Sequence, residues 1–485
     1  MADTLTLNVG EGKGLSLDTD GGSTGLSFAV KGDGDEYLTA LEMIVGRKPG
    51  EIVIPKGVTS VGDYAFYKWT GPEIILVGGP DDVDCKVTLP NTIKKIGEYA
   101  FSESDIRYID ISEGLTSIGD YAFYRSRLRS ITIPESVTSI GEQAFAICSA
   151  LTSVSIPDTV TSIGRALFSQ CTSLKSVNIP NKITEIPGSL FSGCSSLEAI
   201  TIPEGVTSIG NSSFSTCRSL TNIDIPNTVT SIELGAFSAC SGLTSITIPE
   251  SVTSIPMNCF MNCSSLETVA LPESVTSIGA DAFKGCSKLA SITIPDGVTS
   301  IPQELFLSCT SLTSIDIPES VTSLGTSAFY GCTGLTSITI PDSVDTVVGS
   351  NTFNGCTSLA SVNISSNITS IVSGMFYGCT SLTSVDIPES VTSIGNGAFN
   401  SCTGITSIDI PANVTSIGNN AFMGCTSLMS ITLRRTGAIT TIGSATLTNV
   451  PSNCNIYVPA SLVSSYKANT YWRSRSAYIQ AIPEE

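Results

Sequence analysis

Apolar and polar residues follow one another along this chain in a pattern that returns about every 23 residues. In "CSALTSVSIPDTVTSI" (residues 148–163), Leu151, Val154, Ile156, Val160 and Ile163 are apolar, and most of the positions between them are Ser or Thr. Side chains alternate between the two faces of a strand. Val154 and Ile156 therefore point inward from a short strand, and Ser155 points out. Pro157 lacks the N–H that a ladder needs, so it ends that strand. "VTSIG" predicts a second short strand on the opposite wall, with Gly164 suited to a turn. "RALFSQC" predicts a tight or helical turn that drops Phe168 into the core.

Phenylalanine marks the period. Phe66, Phe101, Phe123, Phe145, Phe168, Phe191, Phe214, Phe237, Phe260, Phe283, Phe306, Phe329, Phe353, Phe376, Phe399 and Phe422 share one place in the phrase, and Leu447 takes it in a last, partial copy. One such unit cannot bury its own apolar face, whereas stacked units complete one another. Parallel strands stack about 4.8 Å apart, which predicts a rod or arc roughly 80 Å long. Between Phe66 and Phe101 the longer step places an insertion near residues 69–86.

The tandem phrases "LTSITIP", "SVTSIG", "AF" and "GC", running from about residue 50 to 450, resemble the BspA-like (Treponema-type) leucine-rich repeats. The resemblance implies a right-handed, β-rich leucine-rich-repeat solenoid, with two short strands and a tight or helical turn per coil and a small cap at each end. It further implies a non-catalytic protein of surface attachment, adhesion or recognition. The expected division is an N-terminal β element and capping helix over 1–46, the repeats over 47–450 and a C-terminal cap over 451–485. The capping helix is expected in "EYLTALEMIVG" (36–46), and another helix is expected from Pro459 to about Asn469.

A cysteine recurs with the phenylalanine. Cys148, Cys171 and Cys194 open a register of thirteen that reaches Cys425. Neighbours in such a ladder point the same way and do not turn toward each other as a disulfide requires. With Phe145, Phe168 and Phe191 they are expected to form a structural ladder of buried thiols and rings. Cys259 and Cys263 form C-x3-C, with no second pair to complete a zinc site.

Composition narrows the chemistry. The chain has no histidine, which removes Ser-His-Asp and Cys-His catalysis and the usual zinc sites. No phosphate-binding loop or nucleophile elbow occurs. No cofactor or metal is expected, and no enzymatic activity. The net charge of -19, with neither Lys nor Arg between residues 289 and 433, argues against nucleic acid. No apolar run is long enough to span a membrane, and the N-terminus has neither the basic nor the apolar region of a secretory signal.

Recognition would then use the outside of the coils. The residue between the two inward positions of the first strand faces the concave wall. In that row Asp110, Asn178, Asp224, Asp316, Asn363, Asp386 and Asp409 are the candidate binding residues. At the C-terminus, Tyr466, Lys467, Tyr471, Trp472, Arg473 and Arg475 form an aromatic and basic cluster: as a cap its aromatics would bury the last coil, and as a candidate contact patch it would dock an acidic partner or another subunit. A protein or a cell-surface structure is the expected partner. The two ends loosely resemble repeat proteins encoded by phages and prophages of gut bacteria. That resemblance implies a virion-associated scaffold contacting other virion proteins, and it is favoured over a bacterial surface adhesin because the export signal is missing.

Overall fold

The computed structural model describes residues 7–9, 13–15, 17–19, 26–28, 51–54, 58–69 and 86–483. The chain falls into two compact units, Met1–Gly242 and Leu243–Glu485. In both, each repeat forms one coil, and coils stack in parallel with identical residues facing each other.

On the first wall, Tyr108–Asp110, Ser130–Thr132, Ser153–Ser155 and Ser176–Val177 form neighbouring parallel strands. Ile131 lies opposite Val154, and Thr132 opposite Ser155. The register is fixed because a slip of one residue would turn every buried Ile or Val to solvent. The second wall is built from "SI" pairs: Ile118 faces Ile140, and Ile140 faces Ile163. Proline follows the first strand of most coils, and the N–H of the residue three places on then donates back to its carbonyl, as Val160 does to Pro157.

One feature differs from the pattern read in the sequence, and one that the sequence left open between a tight and a helical turn is decided. The first-wall strand loses its ladder at Thr201, Asp224, Thr293, Asp316 and Asp386, although burial still alternates there. In addition, the segment around each phenylalanine is not helical. The residues two before and two after each Phe have positive φ, as at Gln143 (φ 52) and Ile147 (φ 60) around Phe145. This reversal alternates the direction of successive N–H groups. Gln143, Phe145 and Ile147 donate to Arg165, Leu167 and Ser169 of the next coil, whereas Ala146 and Cys148 close local turns. The corner is therefore a third hydrogen-bonded wall, and a helix could not have made those bonds because its N–H groups are spent internally.

The interior is a column of rings. In the first unit the Phe66-to-Phe237 centroids are 5.0–5.8 Å apart and the rings close to parallel. In the second unit Phe260 to Phe422 repeat this at 5.3–5.9 Å. Exposed threonines are also structural. In the "VTSI" phrase the hydroxyl of Thr207 donates to Thr184 O and that of Thr230 to Thr207 O, and Thr392 and Thr415 do the same in the second unit. Each hydroxyl thus adds a bond between coils.

At the N-terminal end, strand Leu17–Thr19 pairs antiparallel with Leu26–Phe28, which runs parallel to Val58–Val61 of the second wall. The expected helix over 36–46 and nearly all of the insertion lie outside the described residues. At the other end, Asn455–Val458 and Ile479–Ala481 continue the first wall as two further parallel strands. Between them, a 3-10 turn at Ala460–Leu462 leads into the helix Val463–Ala468, which stops at Asn469.

Candidate recognition surface

Asp110, Asn178, Asp224, Asp316, Asn363, Asp386 and Asp409 are all exposed, each between two inward-facing apolar residues. Two are engaged with cations: Lys86 Nζ lies 2.6 Å from Asp110 Oδ2, and Arg434 Nε donates to both carboxylate oxygens of Asp409 at 2.8 Å. Asn178 differs from the others. Its side-chain Oδ1 accepts from Ile156 N, and its Nδ2 donates to Ile156 O. In other coils the backbone carbonyl at this place takes that N–H, as Asn363 O does for Ile340. An amide side chain has substituted for a strand, the ladder ends, and the next coil stands away. The gap is a cavity of about 380 Å³ lined by Asp158, Asn178, Asn181, Thr201 and their neighbours.

The C-terminal patch divides into two groups, and half of it is not surface. Tyr466 and Trp472 are buried against each other edge-to-face with centroids 5.6 Å apart. Tyr466 Oη accepts from Thr440 N, and Trp472 Nε1 donates to Thr440 O. Arg475 donates to the carbonyls of Leu447, Val450 and Pro451. Tyr466 and Trp472 are thus unavailable to a partner, and Arg475 is tied to the cap, because together they satisfy backbone groups of the last coils that no further coil covers. Tyr471, 60% exposed, with Lys467 and Arg473, remains outside.

The thiol ladder is internal. Cys148, Cys171 and Cys194 donate to the carbonyls of Phe123, Phe145 and Phe168 in the preceding coil at 3.0–3.1 Å. Cys286, Cys309 and Cys332 repeat this in the second unit. Burial pushes the thiols of Cys148, Cys194, Cys286 and Cys332 up to about 12. They are hydrogen-bond donors in the core, far from the thiolate form that attacks or binds metal. Among the described residues no group of three or more Cys, Asp or Glu is placed to hold a metal ion.

One surface went unnoticed in the sequence. In the first coils, Tyr64, Tyr99 and Tyr121 occupy the positive-φ place before the phenylalanine and stack at 4.9 and 4.6 Å. Tyr67 and Tyr124 meet them edge-on. The sequence carries this column as "DYAFYK", "EYAFS" and "DYAFYR".

The repeat geometry has a counterpart in known proteins. The BspA type leucine rich repeat region, as a family description, matches residues 85–198, 184–310, 231–359, 276–405 and 346–477. The chain belongs to the BspA-type leucine-rich repeat family. A leucine-rich repeat protein from Bacteroides ovatus ATCC 8483 is 34% identical, with 82% of this chain and 92% of that one covered and a TM-score of 0.59. A leucine rich cell surface protein from Faecalibacterium prausnitzii A2-165 is also 34% identical over 62% of this chain and 87% of its own, with a TM-score of 0.41. The T. pallidum leucine rich repeat protein is 33% identical, covering 36% and 82%, with a TM-score of 0.33. None of the curated proteins matches this BspA-type chain.

Proposed function

We propose that this BspA-type protein is a non-enzymatic recognition scaffold whose first wall contacts a protein partner or a cell-surface structure. The observation carrying this reading is the exposed row of small polar and acidic side chains repeated once per coil above an alternating buried row, with the strand ladder of the first unit interrupted from Asn178 through Asp224. Regular spacing on a stiff support lowers the ordering cost of binding. The acids Asp316, Asp386 and Asp409 favour a partner with a basic surface. Tyr471, Lys467 and Arg473 offer a second contact at the C-terminal end. The virion placement draws no support from the relatives, which are bacterial proteins, so the cell-surface alternative is preferred.

The test is partner capture by the immobilised full chain from cell-surface extracts, repeated with Asp316→Lys, Asp386→Lys and Asp409→Lys combined. Loss of the captured partner in this variant, with retention when Glu319 and Glu389 are changed to Lys instead, is expected. Equal capture by both variants would remove the first wall from the reading.

A further inference from the structure

The second wall of the first unit carries a groove that the first-wall reading does not use. It has a volume of about 430 Å³ and runs from Lys95 to Arg165, within the range of about 300–1,000 Å³ typical of ligand sites. Three columns build it, each with one residue per coil. One bank is Lys95, Ser117, Ser139 and Ser162; the floor is Gly119, Gly141 and Gly164; the other bank is Asp120, Glu142 and Arg165.

The floor is glycine for a steric reason. A Cβ added at any of the three would come within 2.3–2.7 Å of the preceding coil. The coils therefore close without side chains there, and the banks stand above a bare backbone. Asp120 is fixed by accepting Glu142 N at 2.7 Å. The side chains of Lys95, Glu142 and Arg165, and the three serine hydroxyls, have no partner among the described residues.

We infer that this groove is a binding site for a neutral oligosaccharide. One bank offers Lys95 and three serines, the other two carboxylates and then Arg165, at the one-coil spacing of about 4.8 Å, close to the length of one sugar residue in a chain. Carboxylates accept from sugar hydroxyls, Lys and Arg donate to them, and serine does both. A peptide is a poorer fit. The groove has no apolar anchor pocket, and Ile118 and Ile140 are already paired with coils on both sides. Nucleic acid is disfavoured because Asp120 and Glu142 would face its phosphates. The charges belong to the first unit only. The equivalent bank in the second unit includes Ala280, Thr326, Asn396 and Asn419.

The experiment is isothermal titration calorimetry of the full chain with maltotriose, cellotriose and chitotriose, with a lysine-rich peptide and a short single-stranded DNA as rival classes. Binding of at least one trisaccharide at millimolar affinity or better is expected. Ser139→Trp, which fills the groove from an outward-facing position, should weaken it by about tenfold or more, and Glu142→Gln by less. Ser323→Trp in the second unit should leave it unchanged, and unchanged melting curves would show that each variant folds. No heat with any trisaccharide, binding by a rival class alone, or undiminished binding in Ser139→Trp would each overturn the inference.

Discussion

The two units share an interior and differ at the corner outside it. Two residues after each phenylalanine the backbone is left-handed throughout. The second unit fills that place with Gly285, Gly331, Gly355, Gly378 and Gly424, for which the conformation costs nothing. The first unit places Lys68, Glu103, Arg125, Ile147 and Gln170 there, and Tyr64, Tyr99 and Tyr121 at the matching place before the ring. Each non-glycine residue held there costs about 1–2 kcal/mol. The second unit has relaxed five of its eight corners in this way and keeps Asn262, Ser308 and Ser401 at the others, whereas the first has relaxed only the one at Gly193 and keeps side chains at the rest against a steady cost. The charged groove and the tyrosine stack both lie beside that corner.

The largest effect should test what the units have in common. Phe123→Ala and Phe306→Ala each empty a fully buried slot between two rings and should each cost about 3–5 kcal/mol in urea denaturation. A loss confined to one unit would mean that the ring column matters in that unit alone. The corner comes next. Gly331 has φ +69, and an added Cβ would meet nothing closer than 3.5 Å. Gly331→Ala should therefore lose about 1–2 kcal/mol from backbone strain alone. Gln170→Gly, at φ 58 in the first unit, should gain up to about 1 kcal/mol. The same sign for both would break the contrast.

A smaller effect lies in the ladder. Cys309→Ala removes a thiol bond to Phe283 O and should cost about 1 kcal/mol. Serine should be tolerated better, since Ser104 bonds a phenylalanine carbonyl at this place in an early coil. With its thiols pushed by burial well above their usual range, the native ladder should resist alkylation at pH 8 until the chain is unfolded.

The smallest effect concerns Lys284, which bridges Asp281 at 3.0 Å and Glu304. The Lys284 hydrogen bond holds the Glu304 carboxyl below its usual range, and its bond to Glu304 holds the Lys284 ammonium above its own. A lowered carboxyl contributes stability that is present above its unfolded-state pKa and lost as pH falls through the folded-state value. Glu304→Gln should thus be slightly less stable than the parent at pH 7, by under about 1 kcal/mol for so exposed a group. The difference should shrink as pH falls below the usual carboxylate range and through the lowered folded-state value, as read from urea midpoints across pH.

Spacing carried much of this into the sequence. The phenylalanine register, the inward Val and Ile pairs and the second-wall "SI" strands depend on period alone. The corner was not legible as a non-helical turn, because "RALFSQC" contains good helix formers. Its left-handed residues are imposed by bonds to the next coil, and glycine marks them mainly in the second unit. Asn178 looked like any polar member of its row, and only the neighbouring strand reveals that its amide has taken over a backbone role. Tyr466 and Trp472 were legible as aromatics that could bury the last coil, but not their partners, because the N–H and carbonyl of Thr440 that they satisfy are some thirty residues away in sequence.

The thiol bonds of the ladder and the bonds of the "VTSI" threonines also share a direction. Cys171 reaches back to Phe145, Thr207 to Thr184 and Cys402 to Phe376, in each case to a carbonyl that the ribosome has already released. A newly made coil therefore arrives with these side-chain donors facing acceptors that are in place, while its corner N–H groups, such as that of Phe145, wait for the carbonyls of the coil to follow. Growth from the N-terminus can lay down one coil upon another as translation proceeds. Only the closing segment, which tends to the last unpaired backbone at Thr440, has to come at the end.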